Sequence, residues 1–147
     1  MNSHDPQLIK SSQLTKYYLQ FFPKNLMIFQ KTKKLFVYVQ NLEREINNGG
    51  FNQYFFNSSG DYARETVQAL KEIKANKTAP LLEKAIQQFP DSNFPSDRTE
   101  RQDIMEKIED KADEVWDRLD NNFYKYEDNI AELLLDFVKN NIDDFSH

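Results

Sequence analysis

The chain has no cysteine and only two histidines, His4 and His147, in 147 residues. Without cysteine there is no disulfide, no thiol nucleophile and no cysteine-based zinc site. The histidines stand near opposite ends of the sequence, where chains are usually poorly ordered. A phosphate-binding glycine loop and the Glu-x-x-His motif of di-iron bundles are also missing. We therefore expect neither an enzyme nor a bound metal or cofactor.

Glycine and proline are scarce, with three and five residues. Few turn-forming residues favour long helices over many short strands. The longest apolar runs, 26–29 and 35–39, are far shorter than the roughly 20 residues of a membrane-spanning helix. Residues 1–12 contain no signal-like apolar segment. These absences predict a cytoplasmic protein that makes no contact with membranes.

Apolar residues recur at steps of three and four, the period of an amphipathic helix. The pattern predicts helices over 14–21, 35–46, 63–73, 78–89, 99–122 and 130–142, with Thr78 as an N-cap and a helical turn at 51–56. We expect an all-α fold, a single-domain helical bundle of about six helices plus short helical turns. Residues 1–34 form its N-terminal part, 35–90 its core and 99–147 its acidic C-terminal helices.

Charge is divided unevenly along the chain. Residues 1–90 carry a net charge of +5 and residues 91–147 a net charge of −10. The basic side includes a small patch at Lys24, Lys31, Lys33 and Lys34. A chain with pI about 5.1 and so small a patch is not expected to bind nucleic acid directly. The asymmetry instead suggests an electrostatic protein partner.

Six carboxylates of the 99–122 helix follow one another at steps of three and four, which places them on one helix face. They are Asp103, Glu106, Asp110, Asp113, Asp117 and Asp120, here called the acidic stripe. Lys107 and Lys111 lie within a turn and are expected to relieve part of the repulsion. Further acidic residues that could support the stripe are Glu127, Asp128, Asp136, Asp143 and Asp144. The pattern by itself is typical of the ordinary solvated face of a soluble helix, and it also fits a row of phosphate-like charges.

The least generic part of the chain is a turn-rich stretch of amides, glycines and aromatics. Its candidate residues are Asn47, Asn48, Gly49, Gly50, Phe51, Gln53, Tyr54, Asn57, Ser58, Gly60 and Asp61. Amide side chains can satisfy backbone groups freed at adjacent helix ends, which predicts a structural hub. The alternative is a polar pocket around Asn48, Gln53 and Asn57 that binds a small ligand.

The stretch Glu-Ile-Asn-Asn-Gly-Gly-Phe-Asn-Gln-Tyr-Phe-Phe-Asn-Ser-Ser-Gly-Asp-Tyr-Ala at 45–63 resembles a bacterial family of uncharacterised domains whose named member is a DNA-mimic protein. The resemblance extends over about 35–90. It implies an all-α fold and a homodimer. It also implies an acidic surface that occupies the DNA-binding site of a helix-turn-helix transcriptional regulator. The expected partner is therefore a basic, DNA-binding protein.

Two other functions stay open at this point. One is a small-ligand-binding or enzymatic domain that uses the amide-rich 47–61 turn. The other is a dimerising scaffold, for which exposed aromatic residues such as Phe94, Tyr124 or Tyr126 would form the contact.

Overall fold

A computed structural model describes residues 23–145, with the side chains of 26–141 apart from Ser92. The described part of the chain is all-helical, as predicted, and contains five α-helices and no strand. The helices are α1 (Pro23–Phe56), α2 (Ala63–Glu72), α3 (Ala79–Ile86), α4 (Arg98–Phe123) and α5 (Ile130–Phe145). Short 3-10 turns at Ser58–Tyr62 and Pro90–Ser92 join them. The helix predicted over 14–21 lies outside the described residues.

Helix α1 begins twelve residues earlier than the apolar pattern indicated. The sequence placed its start at Leu35, but the helix begins at Pro23 and includes the lysine patch. Proline fits the first turn of a helix because its missing N–H has no partner there. No glycine or proline interrupts residues 24–34, so the chain continues as helix although its face there is mostly polar.

A sharp kink at Gly49 and Gly50 divides α1 into a long part and a short segment, 51–56. Gly50 has φ 76° and ψ −172°, a region that essentially only glycine occupies. A Cβ added at Gly50 would also overlap the Asp120 carboxylate of α4. The expected stop at 47–50 is therefore a change of direction that lays segment 51–56 against α4.

An aromatic cluster from segment 51–56, α4 and the 89–94 loop fills the centre of the core. The Phe55 ring lies 5.3 Å from Trp116 and 5.4 Å from both Phe89 and Phe94. The Trp116 indole Nε1 donates to the Ala85 carbonyl at 3.0 Å, so this buried polar group is satisfied. Phe94 is buried in this cluster, so the expectation that it forms an exposed contact is wrong.

The start of α3 is capped by a distant side chain. Thr78 stands at the N-cap position but makes no capping bond with its own side chain. The Asp128 carboxylate instead accepts from Lys77 N at 2.9 Å, Thr78 N at 2.7 Å and Thr78 Oγ1 at 2.9 Å. Local spacing suggested a threonine cap. The actual cap also ties the loop before α5 to α3, so Asp128 serves the fold.

Gly50→Ala is expected to destabilise the protein by about 1–3 kcal/mol, because alanine is strained at this backbone conformation and its methyl displaces Asp120. Urea unfolding of the full chain measures the loss. Asn48→Ala, at an exposed position two residues earlier, should change stability by less than about 0.5 kcal/mol. Equal effects of the two substitutions would show that the kink is not held by Gly50.

Candidate protein-interaction face

Helix α4 presents one buried face and one charged face. Met105, Ala112, Trp116, Leu119 and Phe123 are buried against the other helices. The acidic stripe occupies a different sector of the same 26-residue helix, as its spacing predicted. No described helix is long and apolar enough to cross a membrane.

Four carboxylates of the stripe have no partner among the described residues. Asp103, Glu106, Asp110 and Asp117 are exposed, and none forms a hydrogen bond or ion pair with a described residue. At about 1.5 Å rise per residue they extend over roughly 21 Å along α4. We call these four residues the open carboxylates.

The expected relief of their repulsion by nearby lysines is not seen. The ion pairs of the described residues are Lys31–Glu72, Lys71–Glu83 and Arg101–Asp61. Neither Lys107 nor Lys111 takes part, so their ammonium groups leave the open carboxylates unpaired. The open carboxylates therefore face solvent with no ion-pair partner among the described residues.

The other two carboxylates of the stripe are used by the fold. Asp113 Oδ1 accepts from Asn52 Nδ2 at 3.0 Å, and Asp120 Oδ1 accepts from the Phe51 backbone N–H at 2.8 Å. Burial raises the pKa of Asp120 above its ordinary value. The Phe51 N–H opposes this rise in pKa, while the charges of Asp117 and Asp113 add to it. Sequence spacing groups all six residues, whereas the structure divides them into four open and two engaged.

Segment 51–56 is held by α4 at both ends. The Asp120 carboxylate accepts from Phe51, the first free N–H of the segment, where the helix dipole favours a negative charge. At the other end, Arg98 and Gln102 donate to the Phe56 carbonyl at 3.1 Å and 2.7 Å. Helix C-terminal carbonyls favour such cationic and amide donors. The charges of α4 thus complement the dipole of the segment packed on it.

A buried arginine, Arg101, lies at the centre of this arrangement. It is not among the functional residues predicted from the sequence. Arg101 is fully buried and donates to the Phe55 carbonyl at 2.6 Å, the Asn57 carbonyl at 2.9 Å and Asp61 Oδ1 at 2.8 Å. Its Nη1 also donates to the carbonyls of residues 95 and 96. Arginine at an apolar helix position, Arg101–Met105–Ile108, was the available signal.

Apart from Asn48, the amide side chains of the 47–61 turn are hydrogen-bonded within the protein. The buried Glu45 carboxylate accepts from Asn57 Nδ2 at 2.6 Å and Gln53 Nε2 at 3.3 Å. Asn47 Nδ2 donates to the Tyr126 hydroxyl at 2.9 Å. Asn48 is exposed. Of the three residues expected to line a ligand pocket, Gln53 and Asn57 donate to Glu45 and Asn48 is exposed.

The remaining turn residues pack tightly. Tyr54 is buried with its hydroxyl 3.3 Å from Thr66 Oγ1, and this burial raises the pKa of the phenol. A Cβ at Gly60 would lie 2.6 Å from the Tyr54 carbonyl oxygen, so only glycine fits. Ser58 is exposed at the start of the 3-10 turn and makes no capping bond. Every buried side-chain N or O of the described residues has a partner.

Two cavities of the described surface lie away from the 47–61 turn and are lined by residues of α1, α2 and α3. Among the described residues, no group of three histidine or acidic residues could hold a metal ion. The candidate interaction site on the described surface is the row of open carboxylates on α4, a helix that is hydrogen-bonded to segment 51–56.

A family model described as DMP19-like protein matches residues 29–141. The match extends well beyond the 35–90 motif and includes all of the acidic stripe. No curated protein and no solved structure matches the chain.

Arg101→Met is expected to destabilise the protein by about 3–5 kcal/mol, because it leaves buried carbonyls and Asp61 without their donor. Arg98→Met, in the same turn of α4, removes an exposed donor and should cost less than about 1 kcal/mol. Urea unfolding of both variants makes the comparison. Similar losses would mean that burial of Arg101 carries no special weight.

Asp120→Asn tests the raised pKa of Asp120. Asparagine keeps an acceptor for Phe51 N–H but carries no charge. As pH rises from the ordinary pKa of 3.8, the unfolded chain releases this proton before the folded chain does, so the natural protein loses stability relative to the variant. Unfolding free energies measured between pH 3.5 and 8 should show that loss, with the variant at least as stable at neutral pH.

Asp120→Ala is the matched control because it removes both charge and acceptor. It should destabilise the protein by about 1–2 kcal/mol at neutral pH. A difference between the natural chain and Asp120→Asn that does not change with pH would contradict the assignment.

Proposed function

The chain belongs to the DMP19-like protein family, a family of the DNA-mimic type, and on this premise we propose that it acts by protein–protein interaction as a DNA mimic. The acidic stripe would occupy the DNA-binding surface of a basic helix-turn-helix transcriptional regulator. The observation that carries the proposal is the row of four open carboxylates on α4.

The lack of internal partners favours binding. A carboxylate already paired with a lysine must lose that pair before it can accept an arginine from a partner. The open carboxylates have no partner among the described residues, so on binding they give up only their hydration water. Their charges are about 4.5, 6 and 10.5 Å apart along the helix, compared with about 3.4 Å of axis per phosphate on one strand of B-DNA. A row of basic side chains that reads phosphates can therefore meet several of them together.

Support from beneath favours binding as well. Asp113 and Asp120 anchor α4 to segment 51–56, and Arg101 fixes its first turns. Ligand groups held in place lose little conformational entropy on association, which preserves affinity. The engaged carboxylates thus position the open ones and need not contact the partner.

The mechanism is competition. Carboxylates that cover the recognition surface of the regulator exclude its operator, so the regulator leaves DNA without any chemical change. Complementary charge of this kind mainly raises the association rate and depends on ionic strength, because the Debye length is about 8 Å at 0.15 M salt.

Neutralising the open carboxylates with Asp103→Asn, Glu106→Gln, Asp110→Asn and Asp117→Asn should weaken binding. Four exposed pairs at about 0.5 kcal/mol each amount to roughly 2 kcal/mol, or about 30-fold in Kd. The variant and the natural chain serve as baits in a low-salt pull-down from native lysate. The Kd for the retained DNA-binding protein is then measured.

A control variant loses four exposed charges elsewhere, through Glu65→Gln, Glu72→Gln, Asp91→Asn and Glu132→Gln. It should bind like the natural chain, which separates the stripe from net charge. Equal weakening by both variants, or binding that does not weaken with added salt, would contradict the proposal.

A further inference from the structure

The open carboxylates alone account for only part of the affinity that displacing DNA requires. Neutralising all four is expected to weaken binding about 30-fold. A regulator typically binds its operator about 10³–10⁷-fold tighter than it binds other DNA. Protein interfaces draw most of their affinity from a few large side chains, above all aromatic residues and arginine. The acidic face is therefore expected to include such contacts next to the carboxylates.

One half-exposed aromatic residue, Phe56, lies beside the first half of the acidic stripe. The segment packed on α4 runs antiparallel to it, because its first N–H meets the end of α4 and its last carbonyl meets the start. Asn52 contacts Asp113, and Phe56 follows four residues later on the same side of the segment. Four residues rise about 6 Å, so Phe56 lies level with the open carboxylates Glu106 and Asp110. Phe56 is 49% exposed at this position.

A second half-exposed aromatic residue, Tyr124, ends the stripe. Tyr124 is the C-cap residue of α4 and keeps helical backbone angles, with its N–H bonded to the Asp120 carbonyl at 2.9 Å. It follows Asp120 by four residues and Asp117 by seven, which is the spacing of one helix face. Tyr124 is 45% exposed, and its hydroxyl donates to the Ile46 carbonyl at 2.8 Å, which holds the ring in place. The stripe therefore lies between two aromatic rings.

The faces of these two rings carry no cation among the described residues. In that part of the chain, Arg64 and Arg101 make the cation–ring contacts, and both lie over Phe94. A guanidinium group can lie flat on an aromatic face and still donate from its edge, in pairs, to a neighbouring carboxylate. A lysine ammonium is a compact, strongly hydrated charge without this planar geometry. A ring beside an unpaired carboxylate therefore suits arginine better than lysine.

We propose that the acidic face binds arginine side chains of the regulator, with Phe56 and Tyr124 each stacking on a guanidinium group that donates to neighbouring open carboxylates. The inference rests on the proposed function and deepens it, because it specifies a partner surface that is rich in arginine and not simply basic. The phosphate backbone of DNA has no aromatic ring, so the two rings give the chain a contact with the regulator that this backbone lacks.

Two blocked peptides of equal charge, octa-arginine and octa-lysine, are the probes for this inference. Isothermal titration calorimetry at low salt measures the Kd of each peptide for the full chain. The double variant Phe56→Leu/Tyr124→Leu removes both rings and keeps apolar side chains. It should weaken octa-arginine binding about five- to tenfold and octa-lysine binding less than about twofold. In the natural chain, ring currents should also shift the arginine Hδ NMR signals upfield when the peptide binds.

Three further variants serve as controls, and urea unfolding checks that each one folds. Phe36→Leu removes a ring on α1 that is 40% exposed, and it should bind both peptides like the natural chain. Tyr124→Phe keeps the ring and loses only the hydroxyl, so it should retain the preference for arginine. Phe56→Leu alone leaves the hydrogen bond of Tyr124 in place and should weaken octa-arginine binding about two- to threefold. The test therefore does not depend on the stability of the double variant.

Equal weakening of both peptides by the double variant, or an equal loss in Phe36→Leu, would overturn the inference. If the rings make no difference while the variant with four neutralised open carboxylates binds both peptides more weakly, the inference fails and the DNA-mimic proposal stands. If that neutralised variant binds both peptides as tightly as the natural chain does, the acidic face is not the binding site and both proposals fail.

Discussion

The grip of α4 on segment 51–56 is the interaction on which the rest of the structure depends. Asp120 accepts from the first N–H of the segment, and Arg101 donates to the Phe55 and Asn57 carbonyls and to Asp61. Because Arg101 is fully buried, its five donors must all be matched locally, which fixes the 3-10 turn and the loop before α4. The kink at Gly50 is the backbone condition for this grip, since any side chain there would displace Asp120.

The same grip relates fold to function. It engages two of the six carboxylates in the acidic stripe, Asp113 and Asp120, and leaves four without a partner among the described residues. A helix that presented all six to solvent would carry more repulsion and have less support from the chain beneath it. The family match over 29–141 covers both parts, the gripping residues and the open ones.

Local periodicity was enough to predict an all-α fold, the 63–73 helix to within a residue and the acidic face of α4. It failed where a distant partner decides the local structure. Thr78 is the N-cap residue, as expected, but the hydrogen bonds there go to Asp128, 50 residues away. Phe94 was expected to be exposed, but it packs against the Phe55 and Phe89 rings. Arg101 was overlooked because a charged residue in an apolar stripe has no local explanation. Its five acceptors come from segments 40–46 residues earlier and from the preceding loop.

The central claim is that the open carboxylates take the place of DNA on a regulator. The most direct test adds the purified chain to a regulator–operator complex and follows free operator by gel shift. Free operator DNA should increase as the purified chain is added, and an excess of operator DNA should reverse the effect. A slower band containing chain, regulator and operator together would contradict it, because two ligands of one surface cannot be bound at once.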